Sequence, residues 1–387
     1  MDLLDGAGTI ITYLWYGAYL NYAVPFLVIL TVVVFFHEMG HYLVARRNGV
    51  RIEVFSLCFG PTLFSWKDRA GTRWKIGLLP FGGYVKMFGD SNVISTPDGK
   101  GRPLTLEEQK VSFLHKRLGQ RTAIVLAGPL ANFLLAIVLF AGLFSTVGQP
   151  FSAPVVGEVE EGSAAAEGGL QPGDRILSLN GRGIERFEDI QRIVQLGLGE
   201  PLTIVVERAT MEVTLFATPK VIERTDRFGN KYTVGQLGIR SSGFSYVRHD
   251  PFTAVWRAAE TTFDFSAMTL KAVGQMIAGT RTTKELRGPL GIAQLSGQVA
   301  EGGIESIIFF IGWLSVILGL VNLFPIPILD GGHLLFYAIE AIRGKPLGER
   351  AQEYGFRIGL ALVLVLMLFA TWNDLVHLGV VDLLGAG

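Results

Sequence analysis

The chain has 387 residues, room for two or three domains. Hydrophobic residues make up 49% of it and charged residues 18%, which excludes an ordinary, fully soluble protein. The formal net charge is zero, which argues against nucleic acid as a partner, and the single cysteine, Cys58, excludes an intrachain disulfide framework and a multi-thiolate metal site.

The opening residues carry Asp2 and Asp5 but lack the basic n-region of a signal peptide. Four stretches reach membrane-spanning length: 21–44, 122–147, 304–324 and 356–376. The first contains His37-Glu38-Met39-Gly40-His41. Two histidines four apart share one helix face and can grip a single Zn²⁺. Glu38, beside the first histidine, is placed to take a proton from a water activated by that ion. The other home for such a motif is a solvated polar face. Residues 6–36 contain no charge at all, so the polar trio sits in apolar surroundings where burial is costly, and that marks a functional site.

Basic residues crowd the loop after the first span, from Arg46 to Arg121, and recur after the third as Arg343, Lys345 and Arg350. This bias puts both loops in the cytoplasm and both termini, with residues 148–303, outside. If Arg46 marks the cytoplasmic surface, His41 lies about 7 Å and His37 about 13 Å inside the membrane, at ~1.5 Å per residue.

Within the first loop, residues 54–66 and 73–88 alternate aromatic, β-branched and polar side chains between Gly-Pro and Gly-Gly breakers. They read as short strands folding back towards the membrane. Residues 78–85 are too apolar for an exposed loop. They form either a hairpin packed on helix ends or an edge strand that pairs with an extended substrate.

Residues 153–218 read as a small β-rich domain. Strands are expected at 154–159, 175–179, 202–207 and 212–217, with a turn at 170–174, a hairpin signal at Asn180-Gly181 and a helix at 187–196. Gly162-Ser163-Ala164-Ala165-Ala166, followed by Gly169-Leu170-Gln171-Pro172-Gly173-Asp174-Arg175-Ile176, resembles a bacterial PDZ domain. It serves as a spacer or as a peptide groove open to peptide C-termini. Residues 252–277 have a weakly amphipathic helical pattern suited to the outer interface. The glycine-rich stretch 280–303 carries no chemistry.

A catalytic zinc takes three protein ligands and leaves one position open. The third span runs into Asn322-Leu323-Phe324-Pro325-Ile326-Pro327-Ile328-Leu329-Asp330-Gly331-Gly332-His333. The prolines break the helix, and a broken helix at membrane depth belongs where it lines a cavity. Asp330 is the only acid between Glu305 and Glu340, so it is the natural carboxylate ligand; its alternative is to cap the next helix. Asn322 could make a structural bond between helices. His333 reads as a supporting or packing group rather than a ligand.

These motifs, with Phe59-Gly60-Pro61, Phe81-Gly82-Gly83-Tyr84 and Ala127-Gly128-Pro129-Leu130-Ala131-Asn132, resemble the site-2 protease family, in the bacterial regulator-of-sigma-E protease branch. The branch often carries two tandem PDZ domains; this sequence carries one. The resemblance implies a polytopic α-helical membrane protein with four transmembrane helices, a cytoplasmic membrane-associated β-hairpin region and an extracytoplasmic PDZ-like domain. The parts are then a membrane core at 1–147, the PDZ domain and its tail at 148–243, interfacial helices with the glycine-rich segment at 244–303, and a second membrane core at 304–387. It also implies Zn²⁺ held by His37, His41 and Asp330, with Glu38 as general base. Asn322 would touch substrate near the scissile bond, and Phe81, Gly82, Gly83, Tyr84 and Val85 would lie in the substrate-pairing hairpin. The implied home is the bacterial plasma membrane. The implied substrates are transmembrane helices of already shortened single-pass proteins, such as anti-sigma factors and remnant signal peptides. An inactive scaffold would lack a ligand or the base, and none is missing. A metal transporter would want polar residues along more than one span, and spans two and four carry few.

Overall fold

The computed structural model describes residues 19–89, 104–184, 186–196, 199–225, 231–279, 283 and 286–377. In chain order the described helices are α1 (Val24–Arg47), α2 (Leu106–Val111), α3 (Leu118–Thr146), α4 (Ala164–Glu167), α5 (Phe187–Leu196), α6 (Pro251–Ile277), α7 (Pro289–Glu301), α8 (Ile304–Asn322), α9 (Asp330–Arg343) and α10 (Glu349–His377). Four helical stretches are long and apolar enough to cross a membrane: Asn21–Arg47, Leu118–Thr146, Ile304–Asn322 and Arg350–Val376. The chain divides into two compact units, one made of Met1–Gly142, Val255–Lys271 and Thr283–Gly387, the other of Leu143–Ala254 and Ala272–Thr282.

In the first unit, α1 starts with Pro25 in its first turn, where a missing N–H costs nothing, and ends on Arg46 and Arg47, whose charges suit the carbonyl end. The Asn48 side chain donates to the Val44 carbonyl at 2.8 Å, and Gly49 leaves the helix at φ 68°. Small residues then let α3 approach: a Cβ on Gly40 would run into the Ala127 carbonyl and the Ala131 side chain. Ile29 and Val33 of α1, Leu135 of α3 and Phe310 and Leu314 of α8 close a shared core.

Between α1 and α3 run two long strands, β1 (Ile52–Lys67) and β2 (Arg73–Met87), where shorter ones were expected. The Gly-Pro and Gly-Gly breakers sit inside irregular pairing rather than ending the strands. Residues 54–57 pair with 83–86 on one side and 73–76 on the other, and 62–67 run along 73–77. Besides 54–57, the 83–85 stretch has no second strand neighbour among the described residues. Asp68 organises the turn: Oδ1 accepts from the Ala70 and Thr72 amides at 2.8 and 3.0 Å, and Oδ2 accepts from Trp74 Nε1 at 3.1 Å and the Tyr42 hydroxyl at 3.2 Å. Desolvation opposes its ionisation, but these donors outweigh it and hold the carboxyl below its ordinary value. Phe55, fully buried, packs among Phe35, Tyr42 and Trp74 and ties the sheet to α1.

The second unit is built on a four-stranded sheet in the order β6 (Arg182–Gly183), β5 (Arg175–Leu179), β7 (Leu202–Arg208) and β8 (Met211–Ala217). Asn180 and Gly181 turn between β5 and β6 with φ of 48° and 73°, as a two-residue hairpin of this composition requires. Phe187, Ile190 and Val194 of α5 enter the core, the i, i+3, i+7 pattern that made this helix legible. The unit extends beyond the strands expected from sequence. β3 (Gln149–Ser152) pairs with β12 (Phe244–Val247), β4 (Val156–Val159) with β11 (Ile239–Ser241), and β9 (Lys220–Thr225) with β10 (Lys231–Gln236). A second difference falls in 280–303: this stretch contains the helix α7.

Candidate metal centre

His37 and His41 project from the same face of α1, one turn apart and both buried. Their Nε2 atoms lie 3.2 Å from each other. Asp330 arrives from the far end of the chain, and its Oδ2 lies 3.2 Å from His37 Nε2 and 3.5 Å from His41 Nε2. Among the described residues these three make the only His/Cys/Asp/Glu cluster with metal-ligand spacing.

The segment between α8 and α9 delivers the carboxylate. Pro325 and Pro327 interrupt the helix. Ile328 adopts φ 99°, a strained setting for a β-branched residue, immediately before Leu329 and Asp330. Gly331 and Gly332 pack so closely on this turn that a Cβ would strike the Leu323 and Phe324 carbonyls or Pro327. Asp330 opens α9, but no side-chain bond caps the helix. The carboxylate is therefore turned to the imidazoles instead, and the capping alternative fails.

The donor set suits Zn²⁺. Ligand atoms about 2.0–2.1 Å from a tetrahedral ion lie about 3.3 Å apart, close to the three separations found here. Asp330 Oδ2 is buried and accepts no hydrogen bond in the structure, as a ligand atom awaiting a cation would. Two neutral imidazoles and one carboxylate leave such an ion net positive.

The surroundings complete the site. A cavity of about 250 Å³ is lined by His37, Glu38, His41, Gly83, Tyr84, Val85, Asn322, Asp330 and His333, with other residues. Glu38 lines the same space, beside Val85 of β2. Gly83 lies so near that a Cβ there would be 3.2 Å from Glu38 Cγ. Gly82, at φ 105°, passes beside the Phe59 ring. Phe81 belongs to β2, and its side chain lies outside the described residues. Asn322 is the last residue of α8 and lines the cavity. His333 lines it one turn after Asp330 and packs its ring against Phe356.

Sequence reasoning missed the backing of the imidazoles by α3. His41 Nδ1 lies 2.9 Å from the Ile124 carbonyl, and the Asn132 amide lies 3.3 Å from His37 Nδ1. Gly128, between them on the same helix face, leaves room for both rings; a Cβ there would overlap His41 Nε2. The available signal was Asn132 itself, the only side-chain amide between Gln120 and Gln149.

Comparison with known proteins agrees with this construction. The profile of peptidase family M50 matches residues 25–366. A protein of Agrobacterium fabrum named "Putative zinc metalloprotease" is 46% identical over 364 residues, 93% of this chain and 97% of that protein. A Rhizobium meliloti protein of the same description is 46% identical, over 92% of this chain and 97% of its own length. Metalloprotease MmpA of Caulobacter vibrioides is 39% identical, over 94% of this chain and 97% of its own length. A solved PDZ domain of an SdrC-like protein from Listeria monocytogenes covers 24% of this chain and 88% of its own, at 17% identity and a TM-score of 0.19. With a match spanning both the paired histidines and the distant aspartate, the chain belongs to peptidase family M50.

Proposed function

We propose that this zinc metalloprotease hydrolyses peptide bonds within transmembrane segments of single-pass proteins already shortened outside the membrane, of the anti-sigma-factor or remnant-signal-peptide type. One observation carries the reading. The ligand atoms of His37, His41 and Asp330 converge, the histidines from a helix long and apolar enough to span a bilayer and the aspartate from the segment that follows another, in a cavity that Gly83, Tyr84 and Val85 of β2 also line.

A transmembrane helix satisfies its own backbone bonds, so the scissile amide must first be unwound. The 83–85 edge offers replacement backbone partners to the unwound stretch, and Asn322 contacts it near the bond to be cut. His37, His41 and Asp330 would hold the zinc, which when bound would polarise the substrate carbonyl and acidify water. Glu38 takes the proton from the attacking water and delivers it to the leaving amine.

The charge bias of the loops supports a site on the cytoplasmic side, with both termini and the β-rich unit outside, in the bacterial plasma membrane. In that unit a groove of about 390 Å³ runs between α5 and residues 235–240, and it suits a PDZ role in receiving peptide C-termini or excluding substrates with bulky outer domains. The test is reconstitution in lipid vesicles with a single-pass substrate, with and without a zinc chelator, and mass spectrometry of the products. Cleavage inside the hydrophobic segment that stops on chelation and returns with zinc is expected. Products cut only outside that segment would sink the proposal.

A further inference from the structure

We propose that Asn132 is the positioning residue of the metal centre: it fixes the His37 ring through Nδ1 and so decides whether Nε2 is free to bind. The inference rests on the metal-site reading above and adds to it a residue from a helix that supplies no ligand.

The stereochemistry is simple. A neutral imidazole that binds a cation through Nε2 carries its one proton on Nδ1, and that N–H needs an acceptor. His41 has one in the Ile124 carbonyl, 2.9 Å from Nδ1. Among the described residues, the hydrogen-bond partner at His37 Nδ1 is the Asn132 side chain at 3.3 Å. Ile124, Gly128 and Asn132 are spaced four apart, so one stripe of α3 presents a carbonyl, a gap and an amide to two rings that are themselves four apart on α1.

Asn132 is fully buried at 0% exposure, and its Oδ1 has no hydrogen-bond partner. A buried amide is costly to leave half-satisfied. In the structure it turns Nδ2 towards His37 Nδ1. That orientation serves the tautomer with a lone pair on Nδ1 and the proton on Nε2, the atom 3.2 Å from Asp330 Oδ2. This tautomer has no lone pair for a metal at Nε2. A half-turn of the amide brings Oδ1 to face Nδ1, gives the orphaned oxygen a donor and frees Nε2. The amide orientation therefore sets the tautomer: with Nδ2 facing the ring, Nε2 keeps its proton, and with Oδ1 facing it, Nε2 is free for a cation. The main chain of Asn132 is pinned independently, since its carbonyl accepts from Ser315 Oγ of α8 at 2.9 Å.

The experiment measures Zn²⁺ affinity of the full chain in detergent by competition with a chromogenic chelator. Asn132→Leu keeps the volume and removes the acceptor; a loss of zinc affinity on the order of 10–100-fold is expected. Asn132→Asp keeps an acceptor and removes the donor, and it should bind zinc within a few-fold of the parent. Ser315→Ala breaks the bond to the same residue's backbone and should leave affinity unchanged. Unchanged affinity in Asn132→Leu overturns the inference. So does equal weakening in Asn132→Asp, which also decides the matter if the leucine variant does not fold, or equal weakening in Ser315→Ala, which would reduce Asn132 to packing. A parent chain that binds no zinc sinks the metal-site reading itself and is thereby told apart from a failure of Asn132 alone.

Discussion

In the proposed mechanism Glu38 and Asp330 act separately, and a single substitution isolates each. Glu38 is not one of the three clustered ligand residues, and it reaches the cavity from the same turn as His37. Glu38→Gln preserves size and hydrogen bonding but cannot take a proton. We expect zinc content to stay at the parental level while cleavage falls by about 10²–10⁴-fold, the usual scale for general acid–base catalysis. Parental cleavage by this variant would remove Glu38 from the chemistry. Asp330→Ala acts on the other half of the site. It deletes the sole carboxylate of the cluster, so zinc measured by atomic spectroscopy after dialysis should fall together with activity. Retained zinc would point to a different third ligand. At this scale the sequence was readable where chemistry is rare in its surroundings. Two histidines and an acid in an uncharged span stand out, and Asp330 stands alone between two distant glutamates. Asn132 did not stand out, because an amide in an apolar helix is equally at home as a structural bond, and only the position of His37 across the helix pair distinguishes the two.

At the level of elements, the close approach of β2 to α1 joins backbone geometry to catalysis. Gly83 faces Val34 and Glu38, and an added Cβ would also lie 2.8 Å from the Ser56 carbonyl. Gly83→Val should push Glu38 and the 83–85 edge apart without touching a ligand. A drop in turnover of about 10²-fold with zinc retained is expected, since a displacement of about 1 Å can cost that much. Joint loss of zinc would mean that the strand instead supports the metal. Elements with a strong local period were legible, such as α5 and the apolar spans. α7 was not, because its glycines look like loop residues in one dimension. In three dimensions Gly291 and Gly297 are contact points: a Cβ on Gly297 would strike the Tyr22 ring and the Asn21 carbonyl, and one on Gly291 would strike Asp374. β11 and β12 were missed for a related reason. They find partners 80 (Ile239 to Val159) to 98 (Val247 to Gln149) residues earlier in the chain, and no local pattern records such a pairing.

Over the molecule as a whole, each unit encloses its own buried core, and the β-rich unit also carries an internal charge that makes its stability depend on acidity. Asp174 is 1% exposed and sits at the turn before β5. Arg208 of β7 grips it with two bonds, Nε to Oδ1 and Nη2 to Oδ2, both 2.7 Å, and the Gln171 amide donates to Oδ2 at 2.8 Å. Desolvation raises the carboxyl, but the Arg208 bonds, the Gln171 amide and the Arg208 charge prevail, so the folded pKa lies below the ordinary 3.8. The sign follows from linkage. With the folded value depressed, the contribution is fully present above about pH 4 and is lost as pH falls through the lower folded value. Asp174→Asn keeps the shape and discards the charge. Near pH 6 it should destabilise this unit by about 2 kcal/mol, the scale of a hydrogen bond to a charged group. As the acid protonates the parental carboxyl, the gap between parent and variant should narrow. Urea midpoints at pH 6 and pH 3, read from hydrogen exchange in peptides covering β5 and β7 of the intact chain, report this directly. A gap that stays constant across that range would mean that Asp174 holds the turn by shape alone, and that the charge on Arg208 contributes nothing to the fold.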